Sequence, residues 1–136
     1  ALALARLNAN ALGVNIRLVQ SDWLAAVEDN SVDLVVSNPP YISEQECDGL
    51  DRTVRDFEPR LALSGGGTGM EAISRLVQEA SRVLISGGWL LMEIGDDQAE
   101  AVTELLCPTH PTIQLNNLKF DYAGRARIVM ARRRSR

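Results

Sequence analysis

The sequence predicts an α/β fold, a sheet with helical crossovers, and three observations carry that reading. The short β-branched run Asp33-Leu34-Val35-Val36 and the apolar run Trp89-Leu90-Leu91-Met92-Glu93-Ile94 have the character of buried parallel strands. Between them, Met70, Ile73, Leu76, Val77, Ala80, Val83 and Leu84 recur at helical spacing on one face. Two further strand-like runs near the carboxyl end are separated by a turn. Alternating strands and helices of this kind build an α/β sheet.

Size and charge narrow the class. A chain of 136 residues, 46% apolar and 24% charged, is one globular domain at most, large enough for a single core. A net charge of −4 and a pI near 5.0 argue against gripping nucleic acid through the whole surface. No apolar run approaches the length that spans a bilayer, and no signal peptide is visible, so no membrane association is expected. Cys47 and Cys107 lack metal-ligand spacing and read as reduced thiols of a cytoplasmic protein; no metal site is expected.

In chain order, residues 1–12 read as a helix stopped by Gly13. The chain thus opens inside a helix without an initiator Met, which suggests a part of a longer protein. Ile16-Arg17-Leu18-Val19-Gln20 alternates like a strand and ends at Ser21-Asp22-Trp23. Asp29-Asn30-Ser31 is a turn before the strand that ends in Ser37. Residues 42–63 have few apolar anchors and read as a long loop with a helical turn, and loops of that length are usually functional. The long helix from Met70 is expected to end at Ser86-Gly87-Gly88. Asp96 is expected to cap a helix running to Leu106, stopped by Cys107-Pro108. Strands near 112–120 and 126–131 flank a turn at Asp121-Tyr122-Ala123-Gly124 and form an antiparallel pair. The arrangement is one domain: a helix remnant 1–12, a strand–helix core 16–106, a strand pair 112–131 and a basic tail 132–136.

The chemistry concentrates at Ser37-Asn38-Pro39-Pro40-Tyr41. Ligands of doubly wound sheets sit at the carboxyl ends of strands, where Asn38 stands. The two prolines fix φ, lack N–H groups and leave a stiff loop with free carbonyls. The Oδ1 of Asn38 and the carbonyl of Pro39 could each accept one hydrogen of a planar NH2 group, with Tyr41 on its flat face. Positioning and electrostatics would then favour attack by that nitrogen without a strong base.

Residues 38–41 resemble the Asn-Pro-Pro-Tyr signature of class I S-adenosylmethionine-dependent methyltransferases that modify amide or exocyclic amino nitrogens. The remaining matches are closest to the release factor glutamine methyltransferases, the HemK or PrmC family. They are the Asn-Ala run near Asn8 to Asn10, Ser21-Asp22-Trp23, Ile42, Phe57-Glu58-Pro59, Ala62-Leu63 with Gly65-Gly66, Gly69 opening a helix, Glu93-Ile94-Gly95, and Ala123-Gly124-Arg125. Thr68 departs from the family, which usually has an acidic residue there. The resemblance implies a partial Rossmann-like class I fold without its first two strands and its glycine-rich loop. It implies methylation of the glutamine amide in the Gly-Gly-Gln loop of peptide chain release factors. Asn38, Pro39 and Tyr41 would be catalytic, with Pro40 completing the substrate pocket, and Asp22, Trp23 and Asn38 would bind S-adenosylmethionine, leaving S-adenosylhomocysteine as product.

Other readings stay open at this point. Asp22 reads equally as a turn or cap residue and Trp23 as a core aromatic; Glu58 and Glu93 are candidates for shaping the pocket. His110 sits far from the motif, and Arg132, Arg133, Arg134 and Arg136 read as a solvated tail. Leu61 to Ser64 followed by Gly65 to Gly69 could be the strand and cofactor loop of a permuted amino-methyltransferase acting on DNA, rRNA or a ribosomal protein. A non-catalytic binding or self-associating fragment is the third reading. Without strands one and two, residues 16–20 have lost their neighbour and the fourth strand of the family's sheet has an open edge. Residues 1–20 are therefore expected to be displaced, disordered or packed on a second copy, and the isolated chain to be inactive; whether it holds the cofactor stays open.

Overall fold

The computed structural model describes residues 1–107 and 110–135. Its elements are α1 (Leu2–Ala11), β1 (Val32–Ser37), α2 (Glu44–Gly49), α3 (Arg52–Arg55), α4 (Arg60–Leu63), α5 (Glu71–Val83), β2 (Leu84–Glu93), α6 (Ala99–Leu105), β3 (Ile113–Phe120) and β4 (Ala126–Arg133). The strands form one sheet in the order β1-β2-β4-β3. β1 and β2 are parallel and joined through α5, while β2–β4 and β3–β4 are antiparallel. This is the expected partial Rossmann-like arrangement, closed by the expected antiparallel pair.

The amphipathic spacing of α5 does what the sequence requires of it. Ala72, Ile73, Leu76, Val77, Ala80 and Val83 are buried on one side. They pack with Val35, Leu90, Met92, Val129 and Ala131 of the sheet and with Val102 and Leu106 around α6. The helix ends because Leu84 turns extended, and β2 starts at once. Ser86-Gly87-Gly88 therefore does not stop the helix. These residues lie inside β2, where pairing with β1 shifts register between Val32 and Leu34 and Gly87 takes φ +78°. A one-strand irregularity with a left-handed residue is a place for glycine.

Several other expectations are corrected. Residues 16–20 form no strand: among the described residues nothing pairs with them, and Ile16 and Val19 are more than half exposed. Alternation alone cannot make a strand when no neighbour supplies ladder hydrogen bonds. With α1, which ends at Gly13 in the left-handed region as expected, this arm lies outside the sheet. Asp96 is not a cap, since α6 starts after Gln98 without a side-chain cap and Asp96 pairs with Arg125 instead. The loop after β1 holds three short helices rather than one turn. Leu61 to Leu63 lie in α4, which removes the strand that the permuted reading needs. β4 runs through Arg133, so the basic tail begins later than expected: Arg132 stacks on Trp89, and Arg133 donates to Asn30 Oδ1 and the Leu84 carbonyl. Pro108 lies outside the described residues. Among those described, no helix is long and apolar enough to cross a membrane.

Candidate active site

β1 delivers Asn38 to the carboxyl edge of the sheet beside the end of β2, because Ser37 pairs with Met92. Two hollows open there. The larger, about 320 Å³, is lined by Val36, Ser37, Asn38, Leu91, Met92, Glu93 and Ile128. The smaller, about 150 Å³, is lined by residues 38–42 with Ala62 and Leu63. Asn38 is the one residue common to both. Its side chain is exposed and makes no hydrogen bond with the described residues, nor does the Pro39 carbonyl. The stiff corner thus keeps its acceptors free, as fixed proline φ angles and missing N–H groups favour.

Behind the corner the backbone is tied down. Ile42 N–H donates to the Leu63 carbonyl, and Gly65 N–H to the Ile42 carbonyl, around a parallel bridge between Ile42 and Ser64. The glycines allow this approach. A Cβ on Gly65 would lie 2.7 Å from the Pro40 carbonyl oxygen, and one on Gly69, at φ +81°, would overlap the Tyr41 carbonyl oxygen. Residues 65–69 therefore clamp the Asn38–Tyr41 corner. Thr68, where the resemblance leads one to look for an acid, donates its N–H and hydroxyl to the Glu71 carboxylate. Hydrogen bonds from backbone N–H groups, foremost its own, hold the Glu71 carboxyl below its ordinary range.

Tyr41 is half-buried and donates its hydroxyl to Glu93 Oε1 at 3.1 Å. Burial raises its phenol above the ordinary value, the Glu93 bond and charge add to this, and Arg127 partly opposes it. At neutral pH the ring is an uncharged donor, turned toward the carboxylate at the end of β2. Glu93 thus joins the corner, whereas Glu58 is exposed between α3 and α4. His110 accepts through Nδ1 from the backbone of Thr112 and Ile113, a turn role away from both hollows.

Asp22 and Trp23 are placed elsewhere. Asp22 pairs with Arg75 Nη2 at 2.5 Å, and the Arg75 guanidinium lies 5.5 Å from the centre of the Trp23 ring. Leu24 N–H donates to Glu79, so this segment runs along α5. Neither residue lines a hollow with Asn38.

Sequence reasoning missed Gln98. Its buried amide donates to the carbonyls of Tyr41 (2.9 Å) and Gly69 (3.2 Å) and accepts from Gly95 N–H (3.0 Å). The only signal in the sequence is its position three residues after the Glu93-Ile94-Gly95 run.

Comparison with known proteins gives consistent results. Residues 1–61 match the family described as Methyltransferase small domain. The chain is 45% identical to the release factor glutamine methyltransferase of Nitratidesulfovibrio vulgaris over 98% of its own length and 46% of the relative's. It is 46% identical to that of Cereibacter sphaeroides over 97% and 47%, and 50% identical to that of Caulobacter vibrioides over 77% and 37%. Among solved structures, a putative DNA modification methylase from Thermus thermophilus aligns with TM-score 0.46 and 19% identity over 83% of this chain and 50% of that one, too slight a likeness to carry weight. The chain spans about half the length of the curated relatives it matches. Over nearly all of its own residues, it is similar to the release factor glutamine methyltransferases.

Proposed function

We propose that this chain carries the amide-holding side of a site that methylates the side-chain nitrogen of a glutamine in the Gly-Gly-Gln loop of peptide chain release factors. One observation supports the reading best: Asn38, whose carboxamide is unpaired among the described residues, is the one residue that borders both hollows. The amide nitrogen would enter from the smaller hollow and the methyl donor from the larger, so that they meet at Asn38. Asn38 Oδ1 and the Pro39 oxygen each accept one hydrogen of the NH2 group, while Tyr41, held by Glu93, walls the smaller hollow. Acceptors aimed at those hydrogens favour the positive charge that develops on nitrogen as its bond to the methyl carbon forms. The proton it then sheds passes to solvent.

S-adenosylmethionine, when bound, supplies the electrophilic methyl group. The donor set fits its sulfonium-bearing part: apolar Val36, Leu91 and Ile128 form a wall, with the Glu93 carboxylate and the Asn38 oxygen at its border. By the resemblance Asp22 and Trp23 would hold the adenine, yet they pack against Arg75 of α5 and line neither hollow.

The test is transfer of labelled methyl groups to a release factor by a protein of the relatives' full length that carries this chain, with DNA and rRNA as competing acceptors. Label confined to the release factor glutamine is expected, and label on nucleic acid alone would overturn the substrate assignment. Asn38→Ala should lower turnover about a hundredfold while leaving donor affinity within a few-fold. Equal losses in both would make Asn38 a cofactor ligand only.

A further inference from the structure

We infer that Gln98 is a positioning residue, whose carboxamide sets the placement of the Asn38–Tyr41 corner by holding three backbone segments in one register. The inference rests on the reading of that corner as the amide-holding loop. Gln98 is 7% exposed, the one polar residue buried to this degree among the described residues. Three of the four hydrogen-bonding positions of its carboxamide go to backbone groups. One NH2 group spans the Tyr41 carbonyl, at the exit from β1, and the Gly69 carbonyl, just before α5, while its oxygen takes the Gly95 N–H after β2. These are the three chain segments that meet behind the candidate site. A buried amide costs stability unless its donors and acceptors are met, so the three partners fix its orientation and it fixes theirs. No other side chain among the described residues bonds to the Tyr41 carbonyl. Gly69 and Gly95 have no Cβ, and a Cβ at either would lie within about 3.2 Å of the Gln98 carboxamide. The close approach of all three segments thus depends on the same amide.

Two substitutions separate positioning from simple packing. Gln98→Met keeps the volume and removes all three bonds. Gln98→Glu keeps the acceptor for Gly95 and sets a carboxylate oxygen against two carbonyls. With Tyr122→Phe as background, Tyr41 is the only tyrosine in this chain, and its phenol can be followed by ultraviolet titration. In both variants the Tyr41 midpoint should move down toward its ordinary value as the corner loosens from Glu93, while thermal unfolding remains cooperative. In the methyl-transfer assay kcat should drop about thirtyfold or more with donor affinity unchanged, since a displacement near 1 Å can cost about a hundredfold in rate. An unmoved tyrosine midpoint in a cooperatively folded variant, or equal losses in kcat and donor affinity, would overturn the role. Should neither variant fold, nuclear magnetic resonance of the unsubstituted chain decides. Both Gln98 carboxamide protons should exchange slowly with solvent, and fast exchange would refute the tether. If a protein of the relatives' full length that carries this chain transfers no methyl group to glutamine, the proposed function fails, while the titration and exchange measurements still judge Gln98.

Discussion

Val35 and Val36 are neighbours of the same chemistry on the same strand, yet Val35 is 7% exposed and Val36 70%. The contrast extends across the sheet. Val35, Leu90, Met92, Val129 and Ala131 face α5 and the α6 region and are almost fully buried. Leu34, Val36, Leu91 and Ile128 alternate with them onto the other face, where Leu34, Val36 and Ile128 are exposed and Leu91 half-buried. Alternation along a strand makes two faces of one ribbon, and only the face that meets a second layer becomes core. The open face keeps a different use: Val36, Leu91 and Ile128 form the wall of the larger hollow beside Asn38. One face therefore holds the domain together, and the other leaves room for a ligand.

Truncation on the two faces should differ most. Leu90→Ala is expected to cost about 2–5 kcal/mol, and Val36→Ala no more than about 0.5 kcal/mol, measured by urea unfolding. Similar losses at both positions would mean that the open face is covered in solution. The clamp behind the corner gives an intermediate effect. Gly69→Ala should cost about 1–3 kcal/mol, because its left-handed φ and the Tyr41 carbonyl both reject a Cβ. Gly124→Ala, also at positive φ but with no atom within 4 Å, should cost about 1 kcal/mol through backbone strain alone. Matching losses would show that the corner gives way without penalty.

The smallest effect is a pH dependence at Tyr41. Its phenol is raised by burial first and by Glu93 second from an ordinary 10.0, so the folded chain holds that proton more tightly than the unfolded chain does. The stabilisation is complete below the ordinary value and is lost as pH rises through it and beyond. Between about pH 9 and 11 the unsubstituted chain should lose stability more steeply than Tyr41→Phe, read from thermal midpoints. Parallel slopes would mean that the hydroxyl is not held by Glu93.

The readable parts of the site and fold were those whose signal is local. Two prolines after a β-branched run, one helical stripe from Met70 to Leu84, and two strand runs around Asp121 to Gly124 each declare themselves within a few residues. The unreadable parts depend on partners distant in the chain. Ile16 to Gln20 has the alternation of a strand and no strand beside it. The glycines of 65–69 resemble a ligand loop until the Pro40 and Tyr41 backbone is seen against them. Gln98 is marked only by its place after the Glu93-Ile94-Gly95 run, because two of its three partners are 57 and 29 residues away.

By itself the sequence determined the helix from Met70, the strand that ends in Ser37, the closing strand pair and where a rigid, acceptor-bearing corner must fall, since φ restrictions and hydrophobic period act between near neighbours. Only the tertiary structure decided which face of the sheet is buried, which carboxylate meets Tyr41 and which amide ties the corner down. Those outcomes require segments far apart in the chain to be packed together, and no local preference encodes the partner.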